Sequence, residues 1–177
     1  LGALRAPVGF VLDHATPIGE VITAAPTYQR IVAEFEGVEA HAGIRPQDGR
    51  SAIAAAAGAI TRMKLGRLDP ETTANVGVIS GGVASNVVAG SCRIELEARS
   101  LDETKVAAAT AAIIDACTWA ASEGGVDVDV DVEEVFRGYR QAPSSPGVRL
   151  ARAALEQRGI DAHEVATPFV ADPGKRS

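Results

Sequence analysis

Residues Ile31 to Asp48 read IVAEFEGVEAHAGIRPQD, and this stretch decides the fold. Ile31, Ala33 and Phe35 alternate with polar neighbours, the two-residue period of a strand with one buried face. Gly37 closes the strand. Ala42 and Gly43 leave His41 on a turn with almost no side-chain bulk, and Pro46 precedes a helical run. An imidazole on such a turn can reach something outside its own domain. Loops are where binding residues concentrate, and a solvated turn histidine is the other reading these residues leave open.

Downstream, Asp48 is an N-cap candidate for a helix reaching Lys64, with Ile53, Ala56, Ala57, Ile60 and Lys64 as its stripe. Gly58 within it costs about 1 kcal/mol relative to Ala, which close approach of another backbone would offset. Leu65 to Asp69 reads as the end of that helix. Thr73 to Ile79 is a strand stopped by Gly81 and Gly82, and Asn86 follows in SNVVAG. Cys92 to Arg99 alternates Cys92, Ile94, Leu96 and Ala98 against charged residues, an amphipathic strand whose charged face meets water or a ligand. The loop of about ten residues between these two strands is long for a hairpin and so a candidate binding feature.

A second helix runs from Glu103 to Glu123 with Val106, Ala109, Ile113, Ala116 and Ala120 inward, and Gly124–Gly125 ends it. In VDVDVDVEEV, Val126 to Val135, valine alternates with acid. Carboxylates on one extended face cannot wrap a cation as a loop does, so a solvated outer face is expected. Upstream, residues 8–13 and 19–24 read as a hairpin. Downstream, a Pro- and Ser-containing linker from Tyr139 to Pro146 leads to a helix over 147–158 and a strand over 162–166.

From Tyr28 to Phe136 the order is strand, helix, strand, strand, helix, strand. That is an α+β fold of the split βαβ (ferredoxin-like) kind, with four antiparallel strands and two helices on one face. The flanks read as remnants of a neighbouring domain, and both ends as cut from something longer.

The 177 residues are 46% hydrophobic but only 4% aromatic, so the core must be built from Ala, Val, Ile and Leu. A net charge of −6 without a basic stripe argues against nucleic acid or an anionic membrane as partner. No apolar run approaches the roughly 18 residues of a membrane span. Cys92 and Cys117 lie inside elements, as two free core thiols of a cytoplasmic protein do.

No nucleophile elbow or phosphate-cradling loop occurs. The three histidines lack zinc-site spacing, and neither Asp13 with His14 nor Asp161 with His163 builds a site. The residues alone describe a binding or assembly domain, a small-ligand-binding split βαβ module included.

The strings GVEAHAGIRPQDGRSAIAAAAGAITRM and LDPETTANVGVISGGVASNVVAGSCRIELEARSLD resemble the lid domain of the zinc exopeptidases that include peptidase T, aminoacylases and related carboxypeptidases. The resemblance implies a lid and dimerisation domain over residues 28–140, with 1–27 and 141–177 as remnants of the catalytic domain. It implies a homodimer through the lid, a short peptide substrate, and zinc in the intact parent enzyme. His41 matches the lid histidine that reaches across the dimer to the carbonyl oxygen as it becomes an oxyanion. Asn86 and Arg99 match substrate-holding positions, with Arg99 suited to a terminal carboxylate, and Gly81 and Gly82 would let that substrate-binding loop approach a ligand closely. The family's zinc ligands and general base have no counterpart here. Glu133–Glu134 is on a lid strand, and His163 falls before the turn that precedes the family's late histidine. No metal is therefore expected in this segment, which by itself is expected to be inactive. A stand-alone, non-catalytic dimerisation module is the alternative.

Overall fold

The computed structural model describes residues 8–12 and 17–167. In chain order the elements are β1 (Glu20–Ala25), β2 (Thr27–Glu36), β3 (Ala40–His41), α1 (Ala52–Arg62), β4 (Gly66–Asp69), β5 (Thr72–Gly81) and β6 (Val87–Val88). They continue as β7 (Ser91–Ser100), α2 (Glu103–Gly124), β8 (Asp127–Phe136), β9 (Tyr139–Arg140), α3 (Pro146–Glu156) and β10 (His163–Ala166). The chain divides into two compact units, one of residues 27–137 and one made from the flanks.

In the central unit, antiparallel strands form a five-stranded sheet ordered β4-β5-β7-β2-β8. Alternation in β7 does what its sequence implies: Cys92, Ile94, Leu96 and Ala98 are buried, while Arg93, Glu95 and Glu97 are partly exposed on the other face. Ile31, Ala33 and Phe35 of β2 join the same core. Burying a side chain such as Phe35 contributes about 1.5–3 kcal/mol. Both helices cover this face, α1 through Ala52, Ala55, Ala56 and Ala59 and α2 through Val106, Ile113, Cys117 and Ala120. On the outer face Arg93 pairs with Glu34 and Glu95, and Arg30 with Glu95 and Glu133.

Three expectations are corrected here. The sheet has five strands, not four, because residues 66–69 form β4 instead of ending the helix. Gly66, at φ +83°, turns the chain, and Asp69 accepts the Glu71 amide at 2.8 Å to close the hairpin onto β5. The first helix begins at Ala52, not after Asp48. Pro46–Asp48 is a 3₁₀ turn, Arg50 bridges to Val38, and Ser51 caps the helix by accepting the Ala54 amide at 3.2 Å. With that start, Ile53 and Ala57 lie on the exposed side and alanines face the sheet. A methyl on Gly58 would stand 3.9 Å from Ala120 Cβ, an ordinary contact, so no backbone approach requires that glycine.

The two edges of the sheet differ. β4 pairs only with Thr72–Ala74, and the strand shifts register between Val76 and Val78. Beyond that bulge β5 has β7 on one side and no described strand on the other, and Val78 and Ile79 are about half exposed. At the opposite edge, β8 exposes Asp127, Asp129, Asp131, Glu133 and Glu134.

In the flanking unit, β1 lies between β10, parallel to it, and β9, antiparallel, and α3 packs on β1. Residues 8–12 form no strand, so the expected hairpin with 19–24 does not form. β10 takes one edge of β1, and β9 the end of the other at Ala24–Ala25. Asp13 and His14 lie outside the described residues. Among the described residues no helix is long and apolar enough to cross a membrane.

Candidate functional site

The turn that carries His41 is tied to the loop between β5 and β7. Gly37 donates its amide to Gly90 O at 2.7 Å, and a side chain at Gly37 would run into the Arg50 carbonyl. β3 then pairs with β6, Ala40 opposite Val88 and His41 opposite Val87. The Ala42 amide donates to Asn86 O at 2.9 Å, and the Ala52 amide at the start of α1 donates to Ala89 O at 2.9 Å. His41 is thus anchored from three directions while its side chain stays exposed. Its own carbonyl accepts the amides of Ile44 and Arg45, at 3.1 and 3.0 Å. Nδ1 of its ring accepts the Gly43 amide at 3.2 Å.

Gly81 and Gly82 enter the same region. Gly81 stands opposite Cys92, where a Cβ would lie 2.6 Å from Ser91 O and 2.9 Å from Cys92 Cα. Gly82 takes φ +72° and donates its amide to Ser91 O at 3.1 Å. Both positions need glycine, one for space and one for its backbone angle. Ile53 reaches this corner, its Cδ1 3.1 Å from where a Cβ on Gly82 would be.

His41, Asn86, Gly81 and Gly82 are therefore gathered at one end of the central unit. Arg99 is not. It faces Thr73 on β5, seven residues along β7 from Cys92, or roughly 23 Å at about 3.3 Å per residue. There it lies over Tyr28 and bonds Glu97. A carboxylate bound by Arg99 would sit at the other end of the sheet.

What the sequence reading missed is the clasp between the two segments. Its one sequence signal is the β-branched pair Val87–Val88 inside a loop rich in small residues. Gly49 belongs to the same clasp, since a Cβ there would lie 2.8 Å from Val88.

Both thiols are buried, away from the His41 turn's exposed face. Burial raises both, and Cys117 is pushed up to about 11. Among the described residues no three His, Cys, Asp or Glu side chains stand together to hold a metal ion. Asp161 and His163 flank the start of β10 without a third donor, so the described residues do not fit a zinc site.

Comparison with known proteins agrees with this geometry. The family model of the M20 peptidase dimerisation domain matches residues 28–125, more than half of the chain. The structure of a tripeptidase from Staphylococcus aureus aligns with a TM-score of 0.89 and 35% identity, over 95% of this chain and 45% of that one. That of the aminopeptidase PepT from Bacillus cereus gives 0.80 and 38%, over 86% and 41%. YqjE of Bacillus subtilis is 37% identical over 156 residues, 88% of this chain and 42% of that protein. The chain spans less than half the length of each of these relatives. With the matched residues holding both helices and four of the five strands of the unit that carries the His41 turn, the chain belongs to the M20 peptidase family and holds its dimerisation segment, of the peptidase T-like kind.

Proposed function

We propose that this chain is the dimerisation and substrate-capping segment of a zinc-dependent exopeptidase that hydrolyses terminal bonds of short peptides. In that reading residues 28–140 are the lid, and residues 1–27 and 141–177 belong to the catalytic domain. The observation that carries it is the β3–β6 pairing, which holds an exposed imidazole on a turn braced by the Asn86 carbonyl, at the end of the sheet where the glycine pair lies. An N–H donor so fixed suits a carbonyl oxygen that gains negative charge, where a donor already in place costs no reorganisation. Asn86 supplies a side-chain amide, and Gly81–Gly82 let a substrate approach the backbone. Zinc would be held by parts of the protein beyond the described residues. What this chain does is bind, orient and donate a hydrogen bond.

An exposed histidine on the lid serves another subunit's active site, so the proposal includes a homodimer. Support comes from the unpaired outer half of β5, with Val78 and Ile79 exposed and Ile53 nearby, opposite an edge too acidic to meet its own copy. Light scattering across protein concentration tests the dimer, and a monomer at high concentration removes it. In the full-length protein His41→Ala is expected to lower turnover about 100-fold with zinc content unchanged. Turnover at the wild-type level would leave a dimerisation module without a catalytic part.

A further inference from the structure

The geometry points to Gly43 as a positioning residue: its backbone amide fixes the tautomer of His41, so that Nε2–H is the group the turn presents. The Gly43 N–H meets Nδ1 at 3.2 Å. A backbone amide can only donate, so Nδ1 must offer its lone pair, and the proton of the neutral ring then resides on Nε2. The amide cannot drift from the ring, because the turn is held on both sides. Ala42 is bonded to Asn86 O at 2.9 Å, and Ile44 and Arg45 are bonded to the carbonyl of His41 itself, at 3.1 and 3.0 Å. The ring lies along Gly43, where an added Cβ would stand 3.6 Å from Cε1 and 3.7 Å from Nδ1, touching without collision.

The consequence is chemical. A neutral imidazole protonated on Nε2 donates there and cannot take a proton or bind a metal through that nitrogen. Its only basic nitrogen is occupied by the turn. His41 is thereby biased toward donating to an oxygen acceptor, and against a general-base or metal-ligand role through the exposed nitrogen. The catalytic meaning of this rests on the proposed function, whereas the tautomer itself does not.

The test uses the full chain labelled with ¹⁵N-histidine at about pH 8.5, where an ordinary imidazole is uncharged. His41 is identified among the three histidines by the signals lost in His41→Gln. Long-range ¹H–¹⁵N spectra are expected to show a single tautomer, Nδ1 unprotonated and Nε2 protonated. Gly43→Ala, which keeps the amide, retains that pattern. Gly43→Pro, which removes it, moves both nitrogens toward the averaged positions of a free imidazole. A wild-type spectrum showing Nδ1–H, or already averaged, overturns the assignment whether or not Gly43→Pro folds. So does a Gly43→Pro spectrum with His41 shifts unchanged. A single Nε2–H tautomer beside an unimpaired His41→Ala enzyme would uphold this inference and remove the oxyanion role. An Nδ1–H tautomer beside an impaired one would do the reverse.

Discussion

Arg99 lies over Tyr28, its guanidinium carbon 4.2 Å from the ring centroid, and Glu97 holds its Nε and terminal nitrogen at 3.1 and 2.9 Å. The side chain spans β2 and β7 on the outer face of the sheet, away from the His41 turn. Arg99→Ala is expected to lower unfolding stability by about 0.5–1 kcal/mol, the worth of an accessible cation–π contact. Urea unfolding measures this, and Arg99→Lys should restore only part of it because the planar stack is lost. A loss no larger than that of an exposed alanine control would show the stack to be idle.

The free half of β5 gives a prediction about assembly. Ile79→Asp places a carboxylate where the sheet edge is apolar and unpaired, and is expected to weaken self-association at least tenfold. Val135→Asp adds the same charge to the acidic β8 edge and should leave association unchanged. Sedimentation equilibrium of the two variants separates the edges. Equal effects would show that charge, not location, was responsible.

Helix α2 starts on a defined cap. Asp102 accepts the amides of Thr104 and Lys105 at 2.8 and 3.2 Å. Asp102→Ala should cost about 1 kcal/mol and Asp102→Asn much less, as read by thermal unfolding. Equal losses would place the effect in the charge instead of the capping oxygen.

The outer-face ion pairs predict a pH dependence. Hydrogen bonds from Arg93 and then Arg30 hold the Glu95 carboxylate below its usual range. A lowered folded value gives stability that is full above the unfolded value, near 4.3, and is lost as pH falls through the folded one. Exposure makes the contribution small and sensitive to salt. Glu95→Gln should therefore melt slightly below wild type at neutral pH, the difference shrinking between about pH 5 and pH 3. A difference constant over that range would show that charge is not what the substitution removes.

Both cysteines are buried, and burial raises them, Cys117 to about 11. The folded chain should resist a thiol reagent at about pH 8 and release both thiols on denaturation. Rapid labelling of the native chain would mean that the α2–sheet interface opens readily.

Local pattern was enough for much of the fold. The alternation in β2, β7 and β8 and the small-residue stripe of α2 are each written within one segment, because burial on one face imposes a period of two or about 3.6. The resemblance carried His41 and its neighbours into view by motif. Tertiary structure decided the rest. β4 is too short to show a period, and it becomes a strand because β5 lies beside it to pair with. The start of α1 moved from Asp48 to Ser51 because Arg50 is drawn into a bridge with Val38, a contact no local propensity encodes. The placing of His41, Asn86 and the glycine pair at one end of the sheet, and the separation of Arg99 from them, follow from strand register. So does the amide that orients the imidazole, since the β3–β6 clasp holds the turn in which Gly43 meets Nδ1. Register is a choice among pairings between distant segments, made by the packed core as a whole, and a single segment read alone does not contain it.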